Sequence, residues 1–200
     1  MPVGNIELLF DEEATWKSLE SKIEALGSRS GFTVLYFSGH GSFDVINPRS
    51  QEAFLAPYDW DPEDASSLLS VDWLLGEVEP GSGDTSLVIL DACFTGGEGR
   101  SVEYAAKPAV MAKLPTEHKS IVLASSEGSQ ISLENEYTRH GMFTYYLLSG
   151  LKGNAPADGG WIYLDDLYDY VREQVETATS NRQTPVLKGE GEKIKLGRSR

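Results

Sequence analysis

Two residues of this chain have the types that nucleophilic attack on a carbonyl group requires. His40 stands in the turn Ser-Gly-His-Gly, and Cys93 follows an apolar run that ends in Asp-Ala. A thiolate attacks the carbonyl carbon, while a nearby imidazole lowers the pKa of the thiol and protonates the departing amine. Backbone N–H groups must face the oxyanion that forms. Gly41, which permits close backbone approach, and Cys93 itself are the candidate donors.

Each of the two residues also has an ordinary structural explanation. A free cysteine after an apolar strand is commonly a small buried side chain, and a single histidine is commonly a surface or core residue. The combination favours catalysis, because His40 and Cys93 both follow apolar strand-like runs and both lie beside glycine-containing loops.

The elements that would hold these residues are indicated by apolar patterns. Continuous runs of β-forming residues predict strands buried on both faces: "FTVLYFS" from Phe32, "SLVILDAC" from Ser86 and "KSIVLASS" from Lys119. Helical spacing predicts amphipathic helices: "DEEATWKSLESKIEALG", "VDWLLGEV", "HGMFTYYLLSGLKG" and "YLDDLYDYVREQVETATS". Short strands are predicted at "NIELLF" and "QTPVLKG", and residues 42–67 read as a loop.

Strands of this kind that alternate with helices predict an α/β fold, a three-layer sandwich with a mainly parallel sheet. Ligands bind at the carboxyl ends of such strands. If the three buried strands are parallel neighbours, His40, Cys93 and the serines Ser125 and Ser126 lie on one rim of the sheet.

The composition narrows the classes of protein. With 31 acidic and 17 basic residues among 200, the net charge is −14, which disfavours nucleic acid and favours basic peptide segments as partners. No apolar stretch is long enough to span a membrane. One cysteine excludes an internal disulfide and a cysteine-rich zinc site, so a reducing, cytoplasmic location is expected.

Several motifs together resemble the caspase-like cysteine peptidases of the metacaspase and bacterial orthocaspase type, peptidase family C14. They are "YFSGHGS", "VILDACFTGG" and "ASSEGSQIS" followed by "HGMFTYYLLSGLKG". The resemblance implies a caspase–haemoglobinase fold in one domain over residues 1–190. The stretch at 191–200, which includes "EKIKLGRSR", reads as a frayed tail. It implies a catalytic dyad of His40 and Cys93, with the amides of Gly41 and Cys93 as the oxyanion hole.

The resemblance also implies the substrate. Caspases have Gln two residues before the cysteine, whereas this chain has Asp91, as metacaspase-type members do. A carboxylate on the floor of the S1 pocket would pair with Arg or Lys at P1 and repel Asp. Ser38 would line the same pocket by analogy. Proteins or peptides with basic residues are therefore the expected substrates, although a turn-capping role for Asp91 is the structural alternative.

Members of the family normally have one more strand and helix before the first strand predicted for this chain. In those members the additional strand lies centrally in the sheet. The chain is therefore expected to lack this strand and helix through truncation, or to receive the strand from a second chain or protomer.

No metal site and no cofactor are predicted. The acidic run from Asp59 to Ser67 lacks the glycine and terminal glutamate of an EF-hand loop. Many metacaspases depend on Ca²⁺, which keeps activation by Ca²⁺ as an open alternative, but no ligand set is recognised here and it is not predicted. His118 and His140 have no ligand-like neighbours in the sequence.

The loop after Cys93 contains candidate autoprocessing sites for a peptidase that prefers basic P1 residues. They are Arg100, Lys107 and Lys113. A plain exposed loop is the alternative.

Two other functions compete with a basic-specific cysteine endopeptidase. One is a catalytically weak or inactive caspase-like scaffold that binds partners, and the other is a related enzyme with a different peptide or amide specificity.

Overall fold

The computed structural model describes most of the chain in seven segments. These are residues 5–43, 52–92, 114–115, 117–126, 134–135, 140–189 and 193–199. The α-helices in these segments are Trp16–Gly27 (α1), Val71–Glu77 (α2), Met142–Ser149 (α3) and Leu164–Thr179 (α4). The longer strands are Phe32–Ser38 (β1), Thr85–Asp91 (β5), Ile121–Ala124 (β6) and Lys195–Arg198 (β11). The shorter ones are Gly41–Phe43 (β2), Ala53–Leu55 (β3), Leu69–Ser70 (β4), Glu134–Asn135 (β7), His140–Gly141 (β8), Trp161–Tyr163 (β9) and Val186–Lys188 (β10).

The central sheet has the strand order β1-β5-β6-β10. Strands β1, β5 and β6 are parallel, and β10 joins β6 in the antiparallel direction. The three parallel strands are the three continuous apolar runs of the sequence, and their side chains alternate between the two faces of the sheet. The expected mainly parallel α/β sheet is therefore confirmed.

Helices cover the sheet on both faces and form two cores. On one face Val88 and Leu90 pack with residues of α1 and α2, among them Ile23 and Leu74. On the other face Leu87 and Ile89 pack with residues of α3 and α4. The result is the expected three-layer sandwich.

Helix α4 shows why its sequence forms this layer. Leu164, Leu167, Val171 and Val175 recur at helical spacing, and each is at most 1% exposed. The helix ends at Thr179, and the cap residue Ser180 adopts the left-handed conformation with φ of 52°. The buried stripe therefore fixes α4 against the sheet.

Three sequence expectations are wrong in detail. Residues 5–10, expected as a strand, form no strand, because no described strand pairs with them. The expected loop at 42–67 contains β2 and β3, which pair in the antiparallel direction. Residues 195–198 of the expected frayed tail form β11 on β9, where Lys195 and Arg198 lie over the Trp161 ring.

In the described part of the chain, no helix is long and apolar enough to cross a membrane.

Candidate active site

The carboxyl ends of the three parallel strands form one rim. Ser38, the last residue of β1, is the register partner of Asp91, the last residue of β5. Leu90 is in turn the register partner of Ala124 at the end of β6. The chain segments that follow these strands consequently leave the sheet at the same edge, as the sequence predicts.

His40 lies in the short connection between β1 and β2, and its residue is exposed. Its backbone is held on both sides: the Gly39 N–H donates to the Asp91 carbonyl at 3.2 Å, and the Ala56 N–H donates to the His40 carbonyl at 2.9 Å. The main chain is thus fixed to β5 and to the residue after β3, while the imidazole is presented at the rim.

Gly41, the candidate oxyanion donor, is the first residue of β2 and pairs with Leu55 of β3. Leu55 is only 1% exposed and belongs to the core under α1 and α2. The antiparallel ladder therefore anchors the residue that follows the histidine in a well-packed element.

Cys93 and the candidate processing residues Arg100, Lys107 and Lys113 lie outside the described residues. The last described residue before the cysteine is Ala92, which is buried. The Ser125 hydroxyl donates to the Ala92 carbonyl at 3.4 Å, so the backbone that leads to Cys93 is tied to the end of β6.

The candidate specificity residue Asp91 is 9% exposed and lies at the rim. Thr144 of α3 donates its hydroxyl hydrogen to Asp91 Oδ2 at 2.5 Å, and the Thr144 hydroxyl also contacts the Tyr36 hydroxyl at 2.7 Å. A buried carboxylate is costly without such donors. Ser38 and Asp91 are register partners, which places their side chains on the same face of the sheet.

Helix α3 begins directly against this carboxylate. A Cβ added to Gly141, the residue before α3, would lie 3.1 Å from Asp91 Oδ2, so a side chain there would crowd the acid. The amino end of a helix favours a negative charge. Gly141 therefore lets α3 approach Asp91 closely enough for Thr144 to reach it.

The segment that follows β6 lies against the end of β5 at the rim. Ser125 and Ser126 are buried, and the Ser125 N–H donates to the Leu90 carbonyl at 2.8 Å. The buried Gln183 donates from Nε2 to the Ser125 carbonyl at 2.9 Å. Both serines lie at the rim as expected, and Ser125 ties the segment after β6 to the end of β5.

The comparison with protein families identifies the domain. The family model for the caspase domain of C14 peptidases matches residues 9–193, a range that includes His40, Asp91 and Cys93. This chain belongs to the caspase domain family. It is accordingly a cysteine-type peptidase by family. No match was found among curated proteins.

The caspase domain also contains a histidine that lies away from the rim. His118, just before β6, lies 3.0 Å from Asp72 Oδ1 through Nε2 and 3.4 Å from Glu79 Oε2 through Nδ1. Partial burial disfavours the charged ring, but the bonds to Asp72 and Glu79 outweigh it and raise the pKa of His118. The hydrogen bond from His118 lowers the pKa of Glu79.

The two carboxylates reach His118 from distant parts of the sequence, Asp72 46 positions away and Glu79 39 positions away. In the described residues, however, no group of three or more His, Cys, Asp or Glu side chains is arranged to hold a metal ion.

An apolar groove runs along the free side of β1. It has a volume of about 680 Å³ and lies between β1, α1 and residues 5–10, which form no strand. Val34 and Tyr36 of β1 are 36% and 46% exposed. Among the described strands β1 pairs in the central sheet with β5 alone, so its other edge faces this groove.

The sequence did not indicate Thr144 and Tyr36. Each belongs to an apolar run whose other members pack in the core, so periodicity explains both residues without a role at the rim. The only available signal was that a polar threonine occupies the first turn of α3, within an otherwise apolar stretch.

Proposed function

We propose that this caspase domain is a cysteine endopeptidase of the metacaspase and orthocaspase type, which cleaves after Arg or Lys through Cys93 and His40. The observation that carries the proposal is the buried Asp91 carboxylate, which lies on the same rim as His40 and two residues before the cysteine. A negative charge at this position favours a basic substrate side chain.

The proposed reaction proceeds through a thioester. The Cys93 thiolate bonds to the scissile carbonyl carbon, and the amides of Gly41 and Cys93 donate to the oxyanion. As the C–N bond breaks, protonated His40 gives its proton to the departing amine. Neutral His40 then takes a proton from water as the hydroxide adds to the thioester. The S–C bond breaks, which releases the carboxylic product and the thiolate.

Specificity is proposed to come from Asp91 and Ser38. A guanidinium forms two parallel hydrogen bonds to a carboxylate, and an ammonium pairs with it as a point charge. A P1 aspartate would meet a like charge in a poorly solvated place and be rejected.

Hydrolysis of fluorogenic peptides with Arg, Lys or Asp at P1 tests the proposal, with and without calcium and against Cys93→Ala. Cleavage after Arg or Lys that Cys93→Ala abolishes is expected. Cleavage after Asp would leave a cysteine peptidase but contradict the basic pocket. A folded chain that cleaves none of them would favour the alternative, a caspase-like scaffold that binds partners.

Self-processing belongs to the same proposal. The segment after Cys93 contains basic side chains that an S1 pocket with Asp91 on its floor would accept. They are Arg100, Lys107 and Lys113. Intact mass after long incubation is expected to reveal fragments that end at one of these residues and that are missing from Cys93→Ala. A single unchanged species in both proteins would contradict processing.

A second chain, in particular another copy of this one, is proposed to add a strand beside β1. Strands lie about 4.8 Å apart, rise about 3.3 Å per residue, and pack in layers about 10 Å apart. The product of these spacings gives a volume on the order of 160 Å³ for each strand residue. The groove therefore has room for about four residues, and the edge of a strand is a template on which another chain can pair. Light scattering of the unmodified chain is expected to give the mass of a dimer, and Val34→Lys is expected to weaken that dimer. If both proteins are monomers, the proposed strand addition is contradicted.

The net charge and the cysteine content support the expectations for the class of partner and for the cellular location. A net charge of −14 favours basic protein or peptide substrates over nucleic acid, and a single free cysteine suits a reducing, cytoplasmic setting.

A further inference from the structure

Two hydroxyl groups and one carboxylate form a continuous chain of contacts across three elements. The Thr144 hydroxyl of α3 donates to Asp91 Oδ2 of β5 at 2.5 Å, and it lies 2.7 Å from the Tyr36 hydroxyl of β1. Thr144 and Asp91 are each 9% exposed, so this contact is shielded from water.

The direction of both hydrogen bonds follows from the number of hydrogens. A threonine hydroxyl has one hydrogen, and Thr144 gives it to Asp91. The 2.7 Å contact must therefore be donated by the Tyr36 hydroxyl to Thr144 Oγ1. Hydrogen bonds in such a row polarise and strengthen one another.

The backbone brings the three groups together. Tyr36 and Asp91 lie on neighbouring parallel strands and on the same face, because Tyr36 pairs with Ile89 and the next position on that face pairs Ser38 with Asp91. Thr144 lies in the first turn of α3, whose close approach depends on Gly141. The acid is therefore held from the helix side as well as from its own strand.

We infer that Thr144 is a positioning residue for P1 selectivity, which fixes the plane of the Asp91 carboxylate and is itself oriented by Tyr36. The inference rests on the proposed function, because it concerns the same pocket. The Thr144 bond is made to Oδ2 and uses one of about four lone-pair sites of the carboxylate.

A fixed plane matters more for Arg than for Lys. The guanidinium requires both carboxylate oxygens in a set orientation, whereas the ammonium of Lys needs only a nearby negative charge. Loss of the Thr144 hydroxyl is therefore expected to reduce the preference for Arg over Lys. A merely structural defect would lower both activities by the same factor.

The experiment compares Thr144→Val, Thr144→Ser and Tyr36→Phe with the unmodified chain on matched Arg and Lys peptides. Because a hydrogen bond to a charged group is lost, Thr144→Val is expected to raise KM for the Arg peptide about tenfold, with a smaller change for Lys and little change in kcat. Thr144→Ser keeps the donor and should restore the Arg preference. Tyr36→Phe should give a smaller loss in the same direction.

Ser120→Ala is the matched control. Ser120 is also buried, and its hydroxyl donates to the Val78 carbonyl at 3.3 Å, just before β6 and at the other end of the sheet. This variant loses a buried hydroxyl contact without touching the rim, so its ratio of Arg to Lys cleavage should stay unchanged. An equal fall for Arg and Lys in Thr144→Val, or an unchanged ratio, would overturn the inference.

A binding measurement separates this inference from the proposed function. In the Cys93→Ala background, calorimetry with the same Arg and Lys peptides reports the pocket without chemistry. Weaker binding of Arg in Thr144→Val, with Lys little changed, supports the inference even if the chain cleaves nothing. An Arg-to-Lys ratio that Thr144→Val does not alter, or no binding of either peptide by the parent, overturns it.

Discussion

The two ends of the central sheet hold similar residue types in different surroundings. Before β6, at the amino end, His118 lies between Asp72 and Glu79, and its ring is largely shielded. At the carboxyl end His40 is exposed on a fixed backbone. The histidine at the amino end contributes to stability through its partners, whereas the one at the carboxyl end is presented to whatever binds there.

The exposure of the carboxylates at the two ends differs in the opposite sense, because the acid at the amino end is exposed and the acid at the carboxyl end is buried. Asp72 is largely exposed and contacts a histidine, so its charge is well solvated. Asp91 is buried beside the start of α3 and accepts a short hydrogen bond from Thr144. Burial of an acid is costly without hydrogen-bond donors, and Thr144 of another element donates to Asp91, which makes Asp91 the stronger candidate for recognition.

The two ends of the sheet should differ most in the loss of kcat that follows when the histidine at each end is replaced by alanine. His40→Ala is expected to lower kcat on an Arg peptide by about 10²–10⁴-fold, because proton transfer by a positioned side chain contributes that much. His118→Ala should leave kcat almost unchanged. Steady-state kinetics of both variants checks this, and equal losses would remove the distinction.

The next effect concerns the two carboxylates. Asp91→Asn keeps the shape but removes the charge, and the loss of a buried charge partner is expected to lower kcat/KM for Arg peptides on the order of 10²-fold. Asp72→Asn is the matched change at the amino end and should alter the ratio of Arg to Asp cleavage by less than about twofold. A P1 profile that Asp91→Asn leaves intact would contradict the pocket.

Helix packing at the amino end gives a prediction for stability alone. A Cβ on Gly27, the last residue of α1, would overlap the backbone carbonyl oxygen of Glu77 in α2. Gly27→Ala is therefore expected to lower the free energy of unfolding by about 1–3 kcal/mol. Denaturant unfolding measures this change. The P1 preference of the folded fraction should be unaffected, and an altered preference would mean that the two ends are coupled.

The smallest expected effect is the pH dependence that His118 confers. Its pKa is raised in the folded chain, so its stabilisation is fully present below the ordinary value of about 6.5 and fades as the pH rises through the higher folded value. His118→Gln should therefore cost more stability at pH 5.5 than at pH 8.5. Thermal unfolding at both pH values checks the sign, and a larger cost at high pH would contradict it.

The parts of the fold that the sequence predicted are those with long, uniform patterns. Strands β1, β5 and β6 follow from continuous apolar runs, and α4 follows from its buried stripe. Three-residue strands such as β2 give too short a pattern. Residues 6–10 have strand-forming residues, but a strand also needs a neighbour for its backbone, and no local signal reports that.

Short motifs in the sequence pointed to some residues of the candidate site, whereas other residues are linked to it only by contacts in the folded chain. His40, Gly41 and Asp91 follow from short motifs, and parallel register brings Ser38 beside Asp91. Thr144 is 53 positions from Asp91, and Tyr36 is 108 positions from Thr144. Such pairings arise only when α3 packs on the sheet, so no pattern in the sequence could report them.

Labelling with peptidyl chloromethyl ketones tests the central account most directly. Because the chain has one cysteine, a probe with Arg at P1 is expected to form a single thioether on Cys93 with loss of chloride. Peptide mapping locates the adduct, and labelling should slow strongly in His40→Ala and Asp91→Asn. Equally fast labelling by a probe with Asp at P1, or an adduct on any residue other than Cys93, would contradict the account.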